Sequence, residues 1–272
     1  MKQDSYSGPE RRETQHFLRI GGLEIPYATR ERAIAAIDRS FEGAGPIRVA
    51  FCNANTMLMA LDSRDYAQSF SSFLVLNDGV GVDLCSRLFN GRPFEQNLNG
   101  TDFVPALLRE SRHVFRIFLL GGKPGVAEEA AAKFAEDHPR HSVVGTRDGY
   151  FSDEETAHVV AEINRSGASL VLVALGNPRQ EEFVAAHGKA LEAEVVLMVG
   201  ALFDFVAGRV VRAPKVMRAA RAEWLFRFAQ EPRRLGRRYT VDVVRFLAQI
   251  AWLKAMRKGL QSVTGRRLRP EP

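Results

Sequence analysis

The stretch Val114–Asp137, VFRIFLLGGKPGVAEEAAAKFAED, decides how the rest of the chain is read. It opens with a short apolar run, Val114–Leu120, which Gly121-Gly122-Lys123-Pro124-Gly125 cuts off, the pattern of a buried strand. The alanine-rich run that follows, Val126–Asp137, is made mostly of strong helix formers. A strand, a glycine-rich turn and a helix thus follow one another directly.

The same unit recurs on both sides. Upstream, Val49–Cys52 is extended and Thr56–Phe70 helical, and the short strand Phe73–Leu76 stops at Asn77-Asp78-Gly79. Helices are expected over Val82–Phe89 and Thr101–Arg112. Downstream, a strand at Val143–Gly145 leads to the helix Asp153–Ser166. The strand Leu170–Leu175, the helix Pro178–Lys189 and the strand Val195–Val199 follow. Ahead of them all, Phe17–Ile25 reads as a strand with a Gly21-Gly22 turn inside it, and Thr29–Phe41 as a helix. This alternation predicts an α/β fold with a mainly parallel sheet flanked by helices. Past Gly208 the pattern is helical only. Met217, Ala220, Trp224, Leu225 and Phe228 recur at helical spacing, as do Val243, Phe246, Leu247, Ile250 and Leu253. The expected organisation is a disordered tail over 1–15, an α/β core over 16–208 and a helical, arginine-rich appendage over 209–272.

The net charge of +6 hides an asymmetry. From Arg209 onward there are 17 Lys/Arg against 4 Asp/Glu, which leaves the first 208 residues with 21 basic and 28 acidic groups. An acidic body with a basic end points to an anionic partner for that end: phospholipid, nucleic acid or a phosphate-bearing substrate. The last helix has a broad apolar face, Trp252 and basic residues Lys254, Arg257 and Lys258. That suits either a membrane interface or packing on the domain or on another subunit, so a homo-oligomer stays open. Cys52 and Cys85 lack the spacing of a disulfide framework or a zinc site. The six histidines show no ligand spacing and read as surface or loop residues, so no metal site is expected. The start, MKQDSYSGPERRETQ, has no apolar signal core, and no apolar run reaches the roughly 20 residues of a bilayer span. The expected location is the cytoplasm, unless something holds the protein on a surface.

In an open parallel sheet, ligands sit outside the carboxyl ends of the strands, so the residues just after each strand matter most. Asn53-Ala54-Asn55-Thr56 follows one strand and Asn77-Asp78-Gly79-Val80-Gly81 another. Asn-Asp-Gly alone is a turn signature; its functional reading is a carboxylate at the rim of a cleft, with glycines that let a substrate approach the backbone. Gly121-Gly122-Lys123 ahead of a helix has the chemistry of a phosphate seat, without matching a dinucleotide or Walker fingerprint. In Gly176-Asn177-Pro178-Arg179-Gln180-Glu181, Asn177 is a good N-cap and Gln180 a capping-box partner. An amide and Arg179 at a helix start also suit a pyrophosphate or uracil.

Seven ordered runs then narrow the reading: NANTMLMA (53–60), LNDGVGV (76–82), NGTDF (99–103), FLLGGKPGVAEEAA (118–131), LVALGNPRQEEF (172–183), VGALFDFVAGRVVRAPKVM (199–217) and EWLFRFAQEPRRLGRRY (223–239). In content and order this set resembles the WecG/TagA/CpsF glycosyltransferases, over about Ile20 to Tyr239. The resemblance implies an inverting transferase with no cofactor. It would move a sugar from a UDP-sugar donor (UDP-N-acetylmannosamine, its uronate form or UDP-glucose) to an undecaprenyl-diphosphate-linked sugar in cell-surface polysaccharide or exopolysaccharide synthesis. It implies Asp78 as the catalytic base, a C-terminal arginine-rich appendage that completes the site at an anionic membrane, and a peripheral location on the inner face of the cytoplasmic membrane. From the loops and the resemblance together, the substrate-binding residues are expected at Asn53, Asn55, Asn77, Gly79, Asn97, Thr101, Asp102, Gly121, Gly122, Lys123, Gly176, Asn177, Arg179, Gln180 and Glu181. The appendage would add Arg212, Arg233, Arg234, Arg237 and Arg238. One position departs from the family's pattern: Asn97 stands where many members have an arginine three residues before the G-T-D glycine.

The chemistry needs a base for the acceptor hydroxyl and positive charge for the departing diphosphate. Many glycosyltransferases meet the second need with a metal on Asp-x-Asp, a motif this sequence does not contain. Arginines and helix N-termini are the natural substitutes, and the reaction is expected to be metal-independent. Two rival classes fit less well. A nucleotide-binding oxidoreductase lacks its G-x-G-x-x-G with a following acidic residue. A non-enzymatic nucleic-acid binder is at odds with the acidic body, so no nucleic-acid partner is expected.

Overall fold

The computed structural model describes residues 17–267 except 215, 218–222, 231, 233–235 and 238–239, with the backbone alone at 227 and 258–267. The expected tail at 1–15 lies outside the described residues, as do Arg233, Arg234 and Arg238.

Phe17–Ile25 is two strands rather than one. β1 (Phe17–Ile20) and β2 (Leu23–Pro26) pair antiparallel across Gly21-Gly22. Both glycines have positive φ, 57° and 81°, which a tight two-residue hairpin turn requires. The remaining strands are β3 (Ile47–Cys52), β4 (Leu74–Asn77), β5 (Arg116–Gly121), β6 (Ser142–Arg147), β7 (Leu170–Ala174) and β8 (Val195–Met198). They form one sheet in the order β4-β3-β8-β7-β5-β6, and every pairing in it is parallel.

Alternation along the strands serves two cores. Ala50, Cys52, Val171, Val173, Val196 and Met198 face one helical layer; Val49, Phe51, Leu170, Leu172, Val195 and Leu197 face the other. On the first side lie α2 (Ala54–Asp62), α3 (Arg64–Ser69), α4 (Val80–Asn90), α7 (Thr156–Arg165) and α8 (Arg179–His187), with the β1–β2 hairpin. On the second lie α1 (Arg30–Asp38), α5 (Gly100–Glu110), α6 (Val126–Asp137) and α9 (Leu202–Val206). The predicted helix Thr56–Phe70 breaks at Ser63, which is extended and caps α3 by accepting from the Tyr66 N–H.

After Gly208, the described helices are Glu223–Gln230 and a long C-terminal helix, Val241–Arg267. The C-terminal helix does not stand apart from the core. It lies against α2 and α4, and buries Phe246 and Ile250 in the first core. Arg245 and Gln249 reach Asp62 on α2 at 3.1 and 2.8 Å. Burying two such side chains stabilises by about 1.5–3 kcal/mol each, whereas an exposed ion pair contributes about 0–1 kcal/mol. Packing, not charge, holds this helix in place.

Candidate active site

β3 and β8, the first and last strands of this parallel sheet in chain order, lie side by side. Loops after these strands leave toward opposite layers and open a crevice at the carboxyl edge. A cavity of about 640 Å³ occupies that crevice. Its floor comes from Asn53, Ala54, Asn55 and Leu58 after β3, Asp78 to Gly81 and Leu84 after β4, and Asn97, Asn99 and Thr101 ahead of and within α5. Phe205 on α9 closes one side. The appendage supplies the rest: Glu223, Trp224, Asp242, Val243, Phe246 and Leu247.

Asp78 is half-buried on this cavity. Its N–H donates to the Cys52 carbonyl at 2.8 Å, which carries the β3–β4 ladder one residue further and fixes the backbone beneath the carboxylate. Gly79, at φ 90°, then turns the chain into α4. The Gly79 N–H donates to Asn97 Oδ1 at 2.7 Å. An arginine at 97 has no acceptor atom to offer there, so the departure at this position brings its own local contact. Asn77 is buried and faces away from the cavity's lining; its Nδ2 donates to the Gln96 carbonyl at 2.7 Å, and its own carbonyl accepts from Leu98. Asn77 therefore positions the 96–98 segment.

Three helices begin at the cavity. Their N-caps, Asn53 for α2, Gly79 for α4 and Asn99 for α5, all line it. Asn53 and Asn99 accept from N–H groups of their own first turns. Glycine has no side chain to do this, so the first-turn N–H groups of α4, at Val80 and Gly81, have no side-chain cap. Gly81 also lets two helix starts meet: a Cβ there would stand 2.7 Å from the Ala54 Cβ. Converging helix N-termini make a region of positive potential that favours anions.

Among the described residues, the charged side chains lining the cavity are carboxylates: Asp78, Glu223 and Asp242. Arg212 is not in the lining but contacts one of these carboxylates. It pairs with Asp102 at 2.7 Å and reaches Glu223 at 3.6 Å, joining the appendage to the start of α5. Arg237 is exposed.

The other expected residues form a second cluster along the same edge and do not line the cavity. The Gly122 N–H donates to the Ala174 carbonyl, and a Cβ on Gly121 would collide with that carbonyl at 2.4 Å. Lys123 is exposed. Arg179 spends its guanidinium on the Gly149 and Phe151 carbonyls and lies over the Phe151 ring, 4.5 Å from its centroid. Asn177 does not cap α8, and Gln180 does not act as a capping-box partner. Both donate to Glu181 Oε1 at 2.7 Å, Tyr66 donates to Oε2 at 3.1 Å, and Gln180 Oε1 accepts from Gly200. Gly176 turns the chain toward α8 at φ 76°. Burial pushes the Glu181 carboxyl up to about 7 despite these three donors, and raises the Tyr66 hydroxyl further out of range. Burial likewise keeps the Cys85 thiol protonated, up to about 12. His141 is a loop residue, between α6 and β6. It is buried, accepting from the Phe115 N–H at Nδ1 and bonding the Leu108 carbonyl through Nε2.

The family model described as Glycosyl transferase WecG/TagA/CpsF family matches residues 18–260. The chain belongs to that family. A similar relative is N-acetylglucosaminyldiphosphoundecaprenol N-acetyl-beta-D-mannosaminyltransferase of Bacillus subtilis (strain 168), 32% identical over 195 residues, covering 71% of this chain and 75% of the relative. The protein is thus a glycosyltransferase. Sequence reasoning missed Phe205, Glu223, Trp224 and Asp242 in this glycosyltransferase's cavity. The first three lie inside runs that match the family, but nothing in their spacing says which way they face.

Proposed function

We propose that this glycosyltransferase moves a sugar from a UDP-sugar to an undecaprenyl-diphosphate-linked sugar in cell-surface polysaccharide synthesis, without a metal and with inversion, Asp78 acting as base. The named relative uses a diphosphoundecaprenol-linked N-acetylglucosamine as acceptor and transfers N-acetylmannosamine, which supports the substrate class. One observation carries the mechanism: Asp78 stands in a cavity onto which three helix N-termini converge. The carboxylate removes the proton from the acceptor hydroxyl as that oxygen attacks the anomeric carbon. The bond to the nucleoside diphosphate breaks, and the helix N-termini, with the uncapped N–H groups of Val80 and Gly81, stabilise the charge on the leaving oxygen.

The acceptor's lipid calls for a protein that works at a surface. Among the described residues no helix is long and apolar enough to cross a membrane. The C-terminal helix does expose Val241, Val244, Leu247, Trp252 and Met256, with basic Arg257 beside them. Such a stripe favours lying in an anionic interface.

The test is transfer to N-acetylglucosaminyl-diphosphoundecaprenol in detergent, with UDP-N-acetylmannosamine, its uronate form and UDP-glucose offered in turn, each with EDTA. One donor should be consumed at full rate in chelator. Turnover that returns only with Mg²⁺ or Mn²⁺ would sink the metal-free reading, and turnover of none of the three would sink the donor class.

A further inference from the structure

A second, smaller hollow of about 330 Å³ lies between α4 and the C-terminal helix, walled by Leu88, Leu247, Ile250, Ala251, Lys254 and Ala255. Leu247 belongs to this hollow and to the catalytic cavity alike. Positions 247, 251 and 255 are one helical turn apart, so the trough follows the helix for about 12 Å from Leu247. Its walls are aliphatic save for Lys254 at the far end. Alanine at 251 and 255 keeps the helix side of it shallow, where a larger residue would fill it.

A carboxylate-bearing cavity that shares a wall residue with an apolar trough matches a ligand with a polar head and a hydrocarbon tail. We propose that the trough seats the first isoprenoid units of the lipid acceptor, leading them from the catalytic cavity to the bilayer. This rests on the acceptor class proposed above. Three features select a prenyl chain over other occupants. The trough shares its Leu247 wall with the cavity that would hold the acceptor's sugar. The same helix turns Val244, Trp252 and Met256 outward, where the rest of the chain would enter lipid. Lys254, at the trough's distal end, suits the anionic headgroup layer.

The experiment compares the full-length protein with Ala251→Phe and Ala255→Phe, both at exposed helix positions outside the catalytic cavity. Two acceptors are used: N-acetylglucosaminyl diphosphate on undecaprenol, and the same head on a short water-soluble alkyl chain. Filling the trough should raise KM for the undecaprenyl acceptor about tenfold, with kcat, melting temperature and the short-chain KM unchanged. Flotation on plain phosphatidylglycerol vesicles lacking acceptor should also be unchanged. An equal effect on both acceptors, or on neither, overturns the proposal. Weakened flotation in step with KM assigns the trough to general membrane adhesion and overturns it too. A change of oligomeric state in either variant assigns the trough to a second copy, which likewise overturns the proposal. If the unaltered protein glycosylates the short-chain acceptor but gains nothing from the prenyl chain, the trough proposal fails while the transferase reading stands. Turnover of neither acceptor ends both.

Discussion

Two groups of polar residues lie along one edge of the same sheet, yet they do different things. After β3 and β4, Asn53, Asp78 and Gly79 border an open cavity, and helix starts point into it. After β5 and β7, Gly122, Asn177, Arg179 and Gln180 are spent on neighbouring backbone or on the buried Glu181. One group leaves chemistry available to a ligand; the other fastens loops. The lesson is that a polar residue after a strand is a candidate site residue where the fold leaves open space beside it, as it does at Asp78 and not at Gln180.

The sharpest way to break this contrast is Asp78→Asn. Transfer should fall by about 10² to 10⁴ in kcat, with an unchanged melting temperature by calorimetry. Near-normal turnover would remove Asp78 from the mechanism.

Glu181→Gln tests the fastening group through pH. Burial raises the native carboxyl from an ordinary 4.5 to about 7, so the folded protein holds this proton more tightly than the unfolded chain. The stabilisation is complete below pH 4.5 and is lost as pH rises through 7. Glutamine should flatten that slope by on the order of 3 kcal/mol, read by urea unfolding at several pH values. A slope identical to the unaltered protein's would show that Glu181 is not the titrating group.

Gly81→Ala should cost about 1–3 kcal/mol of stability by forcing α2 and α4 apart. It should also lower kcat/KM, because the helix starts would no longer converge. Smallest in effect, Arg179→Ala should lose about 1–2 kcal/mol of stability as its carbonyl partners are released, with kcat within about twofold. A collapse of turnover at full stability would move Arg179 from the fastening group into the catalytic one.

Much of the core was legible because its signals are local. Val126–Asp137 begins and ends where the sequence places it, since Gly125 supplies a positive-φ N-cap and His138 ends the helix. The parallel sheet followed from strand–helix alternation alone. What was not legible depends on meeting partners far apart in the chain. The sequence around Gln180 has the spacing of a capping box, but its side chain bonds its neighbour Glu181 and the distant Gly200, the latter set by how β7 and β8 lie together. Asp242 reaches the cavity because the C-terminal helix packs on α2 and α4, and Trp224 reaches it from the separate helix Glu223–Gln230. The apolar periodicity of that helix announced a buried stripe without saying against what. Arg233, Arg234 and Arg238 lie outside the described residues, so their expected part in the site is a proposal resting on the family resemblance.

That late-arriving helix has a consequence for the newborn protein. Every strand of the sheet has been made by Met198, while the wall formed by Val243, Phe246 and Leu247 is still to be translated. A nascent chain can therefore fold its sheet with the reaction chamber unroofed. Proteolytic or nonsense loss between Gly208 and Phe246 would keep every strand of the sheet yet remove the wall that closes the chamber.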